Sequence, residues 1–493
     1  MAANDAAGRL RWLVLFTVIV GTFLGRLDQT IVNLALPKII DDFRISVSSA
    51  GWIATAYILA NAVFVPIWGK LGDTLGRKRI YMIGFSVFIV GSVLAGLAWN
   101  LGSMIAFRVL QAIAGSADYP TAMAILAVTF PEEKERAQAL GIWSASFAAA
   151  AVFGPLLGGP LIDNFGWRSV FLINLPVGVA GLLLARAYIH ESKSDRPPIA
   201  FDWFGSITLG AALSALVLVL DKGLDWGWIS TKSVIAYLAV AVFLAIFVRI
   251  ESKHPDPIVD LKFFRNSIFV NALVNNFVVF MGMMGSIFLV PLFVQTFLGF
   301  NATETGYVFL PMAACLMIGA PLGGRLTGKV QPRYVIGVST AIAAVGIWMF
   351  SFLDPKSTLL DVIVPLSVMA FGLGFGMAQR TSAVASAVPP QEIGIASSIL
   401  ALARNIAGAF GIAVFGTILT DATESKLLEI AASSAINDAA ASGPVAALMI
   451  LKAQVAAYGT VFLTAAAVVG VGAIGAFVMK DLTIRKGEHI IVE

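Results

Sequence analysis

The sequence predicts an all-α membrane protein that crosses the bilayer many times. Hydrophobic residues make up 58% of the 493 residues and charged residues only 13%, about half of the roughly 25% that is usual in soluble domains. The mean hydropathy of +0.88 points the same way. A soluble fold of this length could not hide so much apolar surface, because much of any folded surface faces water. A bilayer accepts such a surface when helices satisfy the backbone hydrogen bonds.

Fourteen apolar runs are long enough to cross a bilayer as helices, since a spanning helix needs about 20 mostly apolar residues. The first run carries Arg26 and Asp28 and is too long for the apolar part of a signal peptide, so we expect it to remain as a span. No segment between the runs is long enough for a soluble catalytic domain, so we expect no enzyme. The runs lie at residues 12–36, 50–69, 79–98, 102–128, 138–160, 169–188, 203–220, 233–249, 268–297, 304–325, 334–353, 359–379, 394–420 and 455–479.

Lys and Arg are distributed unevenly between the connectors. With the N-terminus inside, the cytoplasmic segments hold 22 of the 33 basic residues and the outer segments hold 8, while Arg26, Arg108 and Arg404 lie within runs. Arg380, directly after the twelfth run, counts among the cytoplasmic charges. Positive charge accumulates on cytoplasmic loops. The asymmetry therefore predicts a multi-pass protein of the plasma or inner membrane with both termini in the cytoplasm.

Two connectors indicate that the chain is built from related halves. Residues 69–79 follow the second run and residues 323–333 follow the tenth, and both are rich in glycine and basic residues. Internal repeats of this kind are typical of transporters. We therefore predict a six-helix bundle at residues 1–200, an inserted helix pair with linkers at 201–262 and a second six-helix bundle at 263–493.

Five segments carry recognisable motifs in chain order, at residues 27–37, 69–79, 108–111, 141–160 and 165–176. They resemble motifs of the fourteen-helix drug:proton antiporter branch of the major facilitator superfamily. The resemblance implies a major facilitator fold and proton-coupled efflux of lipophilic or cationic small molecules, such as drugs, by alternating access. The chain departs from the pattern at Ala112 and Ala114, where the fourth-helix motif usually has glycine, and at Arg26, where the branch usually has an apolar residue.

The expected partners follow from this resemblance and from the composition. They are a small-molecule substrate, protons and the lipid bilayer, and we expect a monomer with no cofactor, no metal and no nucleic-acid partner. One alternative is an exporter or flippase of a lipid or a specific metabolite on the same scaffold. Another is a non-transporting membrane receptor or scaffold, although no sizeable soluble module is available to transmit a signal. The sequence has no P-loop, so we expect that transport is not driven by ATP bound to this chain.

Three ionisable residues are candidates for proton coupling, because charged groups inside a membrane are costly and mark function. Asp28 is the first candidate for the proton carrier, and Asp118 is the alternative or a second one. An apolar environment favours the protonated form of a carboxyl group in general. Arg108 lies roughly 15 Å along the helix axis from Asp118, so we expect its partner on the first helix instead. The alternative for each residue is a structural ion pair with no role in turnover.

Two further groups of residues are candidates for substrate binding and gating. Polar residues in the spans are expected to line a cavity, or else to form interhelical hydrogen bonds. They are Tyr57, Asn61, Gln111, Tyr119, Asn275, Asn276 and Gln295. Asp73 and Arg77 are expected to form a cytoplasmic latch that stabilises the outward-facing state, as the resemblance implies, and the small residues of the fifth run are expected to seal against leak or simply to pack closely. The gating residues are Gly69, Asp73, Gly76, Arg77, Gly154, Pro155, Gly158 and Gly159.

Overall fold

The chain folds into helices joined by short connectors. A computed structural model describes residues 2–192, 202–255, 257–326, 329–388, 393–433 and 444–478. In these ranges the regular elements are all helical, and 12 helices are long and apolar enough to cross a membrane. The prediction of an all-α membrane fold is confirmed.

The helices of the described ranges are labelled in chain order. They are α1 (Ala2–Phe43), α2 (Val47–Leu75), α3 (Arg77–Gly96), α4 (Leu101–Gly115), α5 (Asp118–Thr129), α6 (Glu133–Phe165), α7 (Ser169–Leu172), α8 (Asn174–Tyr188), α9 (Trp203–Trp226), α10 (Thr231–Glu251), α11 (Ser267–Phe297), α12 (Ala302–Gly324), α13 (Pro332–Met349), α14 (Leu359–Ser386), α15 (Ile393–Ser433) and α16 (Pro444–Phe477). Two short 3-10 helices, Leu261–Arg265 and Phe350–Phe352, precede α11 and follow α13.

The fourth expected span is a broken helix. α4 ends at Gly115, and α5 begins at Asp118 with Pro120 in its first turn. Proline has no amide hydrogen to donate to the preceding turn and clashes with it, which favours an interruption of the helix at this point. Neither piece is long enough to span a bilayer alone, and α6, the fifth expected span, is also not among the 12 helices. The count of fourteen therefore stays a prediction.

The described helices form two compact units. Unit one comprises Met1–Leu213, Val242–Ile258 and Asn301–Tyr307. In it α1 packs on α6 and α8, while α4 packs on α2 and α3. α9 and α10, which correspond to the expected inserted pair, are each divided between the two units. The predicted domain boundaries stay a prediction.

Unit two comprises Ser214–Ala241, Val259–Phe300 and Val308–Glu493. Its centre consists of α13 against α14 and α16, and of α11 against α15. Buried side chains of α11, such as Phe288 and Phe293, are fully enclosed here. Burial of this kind within a bilayer depends on close packing, because lipid itself solvates apolar side chains.

One basic residue does not lie where the sequence placed it. α14 continues past the predicted end of the twelfth run to Ser386, so Arg380 lies inside the helix and is 0% exposed. The assignment of Arg380 to a cytoplasmic connector was wrong. The physical reason is that polar groups of α11 and α13, including Asn275 and Thr340, accept hydrogen bonds from its guanidinium and hold it within unit two.

Candidate functional site

A buried ion pair joins α1 to α4 in unit one. Arg108 Nη1 lies 2.5 Å from Asp28 Oδ2, and each residue is only 1% exposed. The Tyr57 ring lies against the guanidinium, 4.1 Å from its central carbon. The expected partner of Arg108 on the first helix is therefore confirmed as Asp28. A buried charge pair of this kind requires further hydrogen bonds to offset its desolvation.

Neutral polar side chains supply those hydrogen bonds. Gln111 Nε2 and Asn174 Nδ2 donate to Asp28 Oδ1 at 3.0 and 2.9 Å. Asn174 also donates to Ser92 Oγ at 2.8 Å, and Arg108 Nη1 donates to Gln111 Oε1 at 2.7 Å. Both oxygens of Asp28 are thus occupied. Three donors on about four acceptor sites leave the Asp28 carboxylate with little acceptor capacity to spare.

Asn174 and Ser92 were not predicted as site residues. Asn174 lies within a family-like motif and is the first residue of α8, and Ser92 lies within an apolar run of α3. Both are completely buried. A buried amide inside a membrane span is itself a signal of an interhelical hydrogen bond. That signal was present in the sequence for Asn174, whereas a lone serine carries little information.

Asp118 has a different environment. It is the first residue of α5, and its Oδ1 atom is buried with no hydrogen-bond partner in the described part of the chain. The Thr22 hydroxyl hydrogen-bonds to the carboxyl group, and Arg26 places a positive charge nearby. A cavity of about 20 Å³ adjoins Asp118, which is room for a single water molecule. The break between α4 and α5 therefore places an incompletely bonded acid beside a small space.

The wall of this cavity is otherwise almost entirely apolar. Tyr81 contributes a phenol, and its hydroxyl lies near Thr17 O at 3.5 Å. Gly21 and Gly25 of α1 leave the space open, because a side chain at Gly21 would overlap the Tyr81 hydroxyl and approach Asp118 Oδ1. The lining residues are Gly21, Gly25, Tyr81, Phe85, Phe88, Ala114, Gly115 and Asp118.

The predicted cavity-lining residues of unit one occupy different environments. Tyr57 and Gln111 are buried within the Asp28–Arg108 network. Asn61 is half-buried, and Tyr119 is 39% exposed. The role of these residues in lining a substrate cavity stays a prediction.

The corresponding residues of unit two cluster around two arginines. Asn275 Oδ1 accepts from Arg380 Nε at 2.8 Å, and Asn276 Oδ1 accepts from Arg404 Nε at 3.3 Å. Gln295 is half-buried further along α11. No role was predicted for Arg404, and the burial of Arg380 was not predicted.

The predicted gate loop lies at the junction of α2 and α3. Gly76 has φ of +115°, a conformation that favours glycine because a side chain would be strained. The Glu191 carboxylate lies where a Gly76 side chain would be and accepts the backbone N–H groups of Lys78 and Arg79, both at 3.1 Å. A carboxylate at the N-terminus of α3 also opposes the positive end of the helix dipole. Glu191 was not predicted.

The other loop residues are described in part. Gly69 lies against Pro120 of α5, and the Arg77 backbone N–H donates to Ser192 O at 2.9 Å. The side chain of Asp73 lies outside the part of the chain that the structure describes. The latch between Asp73 and Arg77 therefore stays a prediction.

Two glycines of α6 allow close approach to α1. A methyl group at Gly154 would overlap Thr30, and one at Gly158 would lie 2.8 Å from Ile31 Cγ2. Small residues bring membrane helices into direct backbone contact. Close packing is thus observed, whereas a role in sealing against leak stays a prediction.

The remaining candidates of α6 lie near the start of α12. Pro155 and Gly159 contact its first two turns. The Asp163 carboxylate accepts the backbone N–H groups of Ala302 and Thr303 at 3.1 and 2.8 Å. These contacts explain why the first residues of α12 group with unit one.

Replacement of Gly158 by alanine is expected to destabilise the protein by about 1–3 kcal/mol, the usual cost of overpacking. The added methyl group would overlap Ile31, whereas at Gly470 of α16 an added methyl group meets nothing within 4 Å. Thermal unfolding in detergent checks this result, with Gly470→Ala as the control. Equal melting temperatures for both variants would contradict the close contact of α1 and α6.

The fold and the network define the class of protein: a polytopic helical membrane protein with ionisable side chains paired inside its spans. The family model of the Major Facilitator Superfamily matches residues 18–412. The chain belongs to this superfamily of membrane transporters.

Named relatives support a transporter rather than an enzyme. The chain is 34% identical over 411 residues to the multidrug resistance protein Stp of Mycobacterium tuberculosis, covering 83% of this chain and 76% of the relative. It is 32% identical over 421 residues to the tetracenomycin C resistance and export protein of Streptomyces glaucescens, covering 85% and 78%. Among solved structures it is similar to an inward-facing bacterial homologue of the human lysosomal transporter Spinster, with TM-score 0.69 and 19% identity over 95% of this chain and 96% of the other. That last likeness concerns the fold alone.

Proposed function

We propose that this protein exports lipophilic small molecules in exchange for protons and that Asp118 carries the proton. The observation that supports this assignment most is the buried Asp118 Oδ1, which has no partner among the described residues and adjoins a cavity. The names of relatives, which refer to multidrug resistance and to export, support efflux of small molecules.

The contacts favour Asp118 over Asp28, the first candidate from the sequence. Asp28 accepts hydrogen bonds at both oxygens and pairs with Arg108. Asp118 has one oxygen without a donor. An unpaired carboxylate is expensive to bury, and a proton on that oxygen removes most of the cost. Asp28 and Arg108 would then serve as a fixed pair that holds α1 against α4.

The exchange follows from this difference. A proton from the acidic aqueous phase that reaches Asp118 Oδ1 through the cavity neutralises the carboxylate and stabilises the state in which it is buried. Loss of the proton leaves a charge that favours rehydration of the carboxylate. A proton and a substrate that stabilise different states drive antiport by alternating access, because each shifts the population of the state that it binds better.

A second candidate function, with a narrower substrate range, is export of a single compound. One relative is named for a single antibiotic, tetracenomycin C, so a restricted substrate range is the second candidate function. A competition panel distinguishes the two: a multidrug exporter is inhibited by several unrelated lipophilic compounds, and a dedicated exporter by one chemical series.

Transport into inverted membrane vesicles tests the proposal. Vesicles with this protein should accumulate ethidium when an inward-acidic pH gradient is imposed and should lose the accumulation when nigericin collapses the gradient. Vesicles without the protein are the control. Accumulation that is the same with and without the gradient would contradict proton coupling, and no transport across a drug and dye panel would contradict drug export.

We expect the protein to be a monomer in the cell membrane with both termini in the cytoplasm. The uneven distribution of Lys and Arg supports this orientation. A cysteine introduced at residue 490, with Cys315 replaced by alanine, should react with a membrane-impermeant maleimide only after the cells are opened. Labelling of intact cells would contradict the orientation.

Replacement of Asp73 by asparagine is expected to lower the transport rate while leaving expression near normal, since the latch proposed between Asp73 and Arg77 would lose its charge. Its neighbourhood, the α2–α3 junction, is held by Glu191 through two backbone hydrogen bonds. Initial rates in vesicles at matched protein amounts check this. Transport by the variant at the native rate would exclude the latch.

A further inference from the structure

We infer that unit two contains a binding site for the anionic group of an amphipathic ligand, formed by Arg404 and Asn276 with Arg380 behind them. This inference deepens the proposed function, on which it rests, by assigning a negatively charged acceptor group to the transported molecule. It differs from the sequence-based expectation of a cationic substrate. The residues belong to α11, α14 and α15.

Arg380 provides a buried positive charge. Its donors bond Asn275 Oδ1 at 2.8 Å, Thr340 Oγ1 at 3.0 Å and Ser339 Oγ at 3.2 Å. Each of these acceptors is neutral, and in the described part of the chain no carboxylate forms an ion pair with Arg380. A buried cation with neutral partners leaves a positive potential that an anion would neutralise.

Arg404 lies close enough to Arg380 for the two charges to repel each other. Unlike Arg380, it is not fully buried. Its Nε donates to Asn276 Oδ1 at 3.3 Å and its Nη2 donates to Thr381 Oγ1 at 3.4 Å. Both distances are long for hydrogen bonds to a guanidinium, so a ligand oxygen could compete for these donors.

Asn276 supplies the second observation that points to a ligand. It is 0% exposed, and its Nδ2 amide is buried with no hydrogen-bond acceptor in the described ranges. The bond from Arg404 to Oδ1 fixes the orientation of the amide, so Nδ2 is the atom left over. A buried donor without an acceptor costs about 1–3 kcal/mol, and a ligand oxygen bound there would remove that cost.

The surroundings suit an apolar body attached to the anionic group. The guanidinium of Arg404 lies 5.1 Å from the centre of the Phe280 ring. Phe277 and Phe410 are neighbours on the same two helices, with ring centres 5.8 Å apart. Asn276 lies nine residues from the start of α11, roughly 14 Å along the axis, so the cluster is within the membrane-spanning length. A carboxylate or phosphate on an aromatic or lipid-like body fits this combination.

Binding to the purified full-length protein in phosphatidylcholine nanodiscs tests the inference. The probe is radiolabelled 2-naphthoate, and 2-naphthamide has the same rings without the charge. Wild type should bind 2-naphthoate more tightly than 2-naphthamide. Arg404→Gln and Asn276→Asp should each weaken the binding of 2-naphthoate about tenfold to a hundredfold, the range for charge-assisted hydrogen bonds. The affinity for 2-naphthamide should change little.

Lys426→Gln is the matched control, because Lys426 is a partly exposed cation on the same helix. It should leave both affinities unchanged. If Arg404→Gln does not fold, Arg404→Lys and Asn276→Asp give the same comparison. Equal binding of 2-naphthoate and 2-naphthamide by wild type, or an equal loss in Lys426→Gln, would overturn the inference.

Lipid and substrate are distinguished by adding phosphatidylglycerol to the nanodiscs. The site is assigned to a lipid phosphate if two results are obtained. Phosphatidylglycerol displaces 2-naphthoate, and native mass spectrometry shows that wild type retains phosphatidylglycerol whereas Arg404→Gln does not. No displacement assigns it to the transported molecule. Proton-driven ethidium transport is measured on the same proteins. Loss of the anion selectivity with intact transport would contradict this inference alone, whereas loss of transport by wild type would contradict the proposed function.

Discussion

Replacing Asp118 by asparagine is expected to reduce proton-driven export to the level of vesicles without the protein. The amide keeps the shape of the carboxyl group but cannot gain or lose a proton near neutral pH. Asp118 is a buried acid whose Oδ1 atom has no hydrogen-bond partner among the described residues, and it adjoins the cavity. Uphill accumulation of ethidium under a pH gradient should therefore disappear.

Ethidium exchange without a pH gradient distinguishes a loss of proton coupling from a general loss of transport. Asp118→Asn should retain ethidium counterflow, since the substrate can still cross in both directions. Asp41→Asn is the control, because Asp41 is an exposed acid near the C-terminal end of α1, and this variant should transport normally. Uphill accumulation by Asp118→Asn at the wild-type rate would exclude Asp118 as the proton carrier.

Replacing Arg108 by glutamine is expected to destabilise the protein by about 3–5 kcal/mol, because it leaves Asp28 buried without its cation. Asn174 and Gln111 would still donate to Asp28 Oδ1, but Oδ2 would lose the Arg108 guanidinium. The double variant Asp28→Asn with Arg108→Gln removes both charges, so it should be less destabilised than Arg108→Gln alone. Thermal unfolding of wild type, Asp28→Asn, Arg108→Gln and the double variant in one detergent provides this comparison.

The exposed ion pair between Arg168 and Asp42 is the control that shows how much of the loss in stability depends on burial of the pair. Its atoms are 3.0 Å apart, and its side chains are 46% and 45% exposed. Arg168→Gln should cost no more than about 1 kcal/mol, as is usual for surface pairs. A double variant at Asp28 and Arg108 that is as unstable as the sum of its single variants would show that the two residues do not act as a pair.

The sequence was sufficient to predict the pairing of α1 with α4 because ionisable residues are rare within apolar runs. Arg108 needed a counter-ion, helical geometry excluded Asp118 on its own run, and Asp28 was the acid available on the first helix. The hydrogen-bonding partners were harder to predict. Asn174 and Ser92 are neutral, and their role depends on the packing of α8 and α3, which no local pattern specifies.

The two places where the structure differs from prediction have local causes that a hydropathy window does not detect. Pro120 breaks the fourth run although the mean hydropathy of the run remains high, and this break positions Asp118. Arg380 follows an apolar run and resembles a charge that sets orientation. Its burial depends on the acceptors Ser339 and Thr340 of α13, which only the packing of α13 against α14 reveals.

Proton release on substrate binding tests the proposed coupling most directly. Ethidium is added to purified protein in weakly buffered detergent at neutral pH, and the released protons are measured with a pH indicator at matched ethidium occupancy. Wild type should release protons, and Asp118→Asn should release none. Release from Asp118→Asn equal to that from wild type would contradict the assignment of the proton to Asp118.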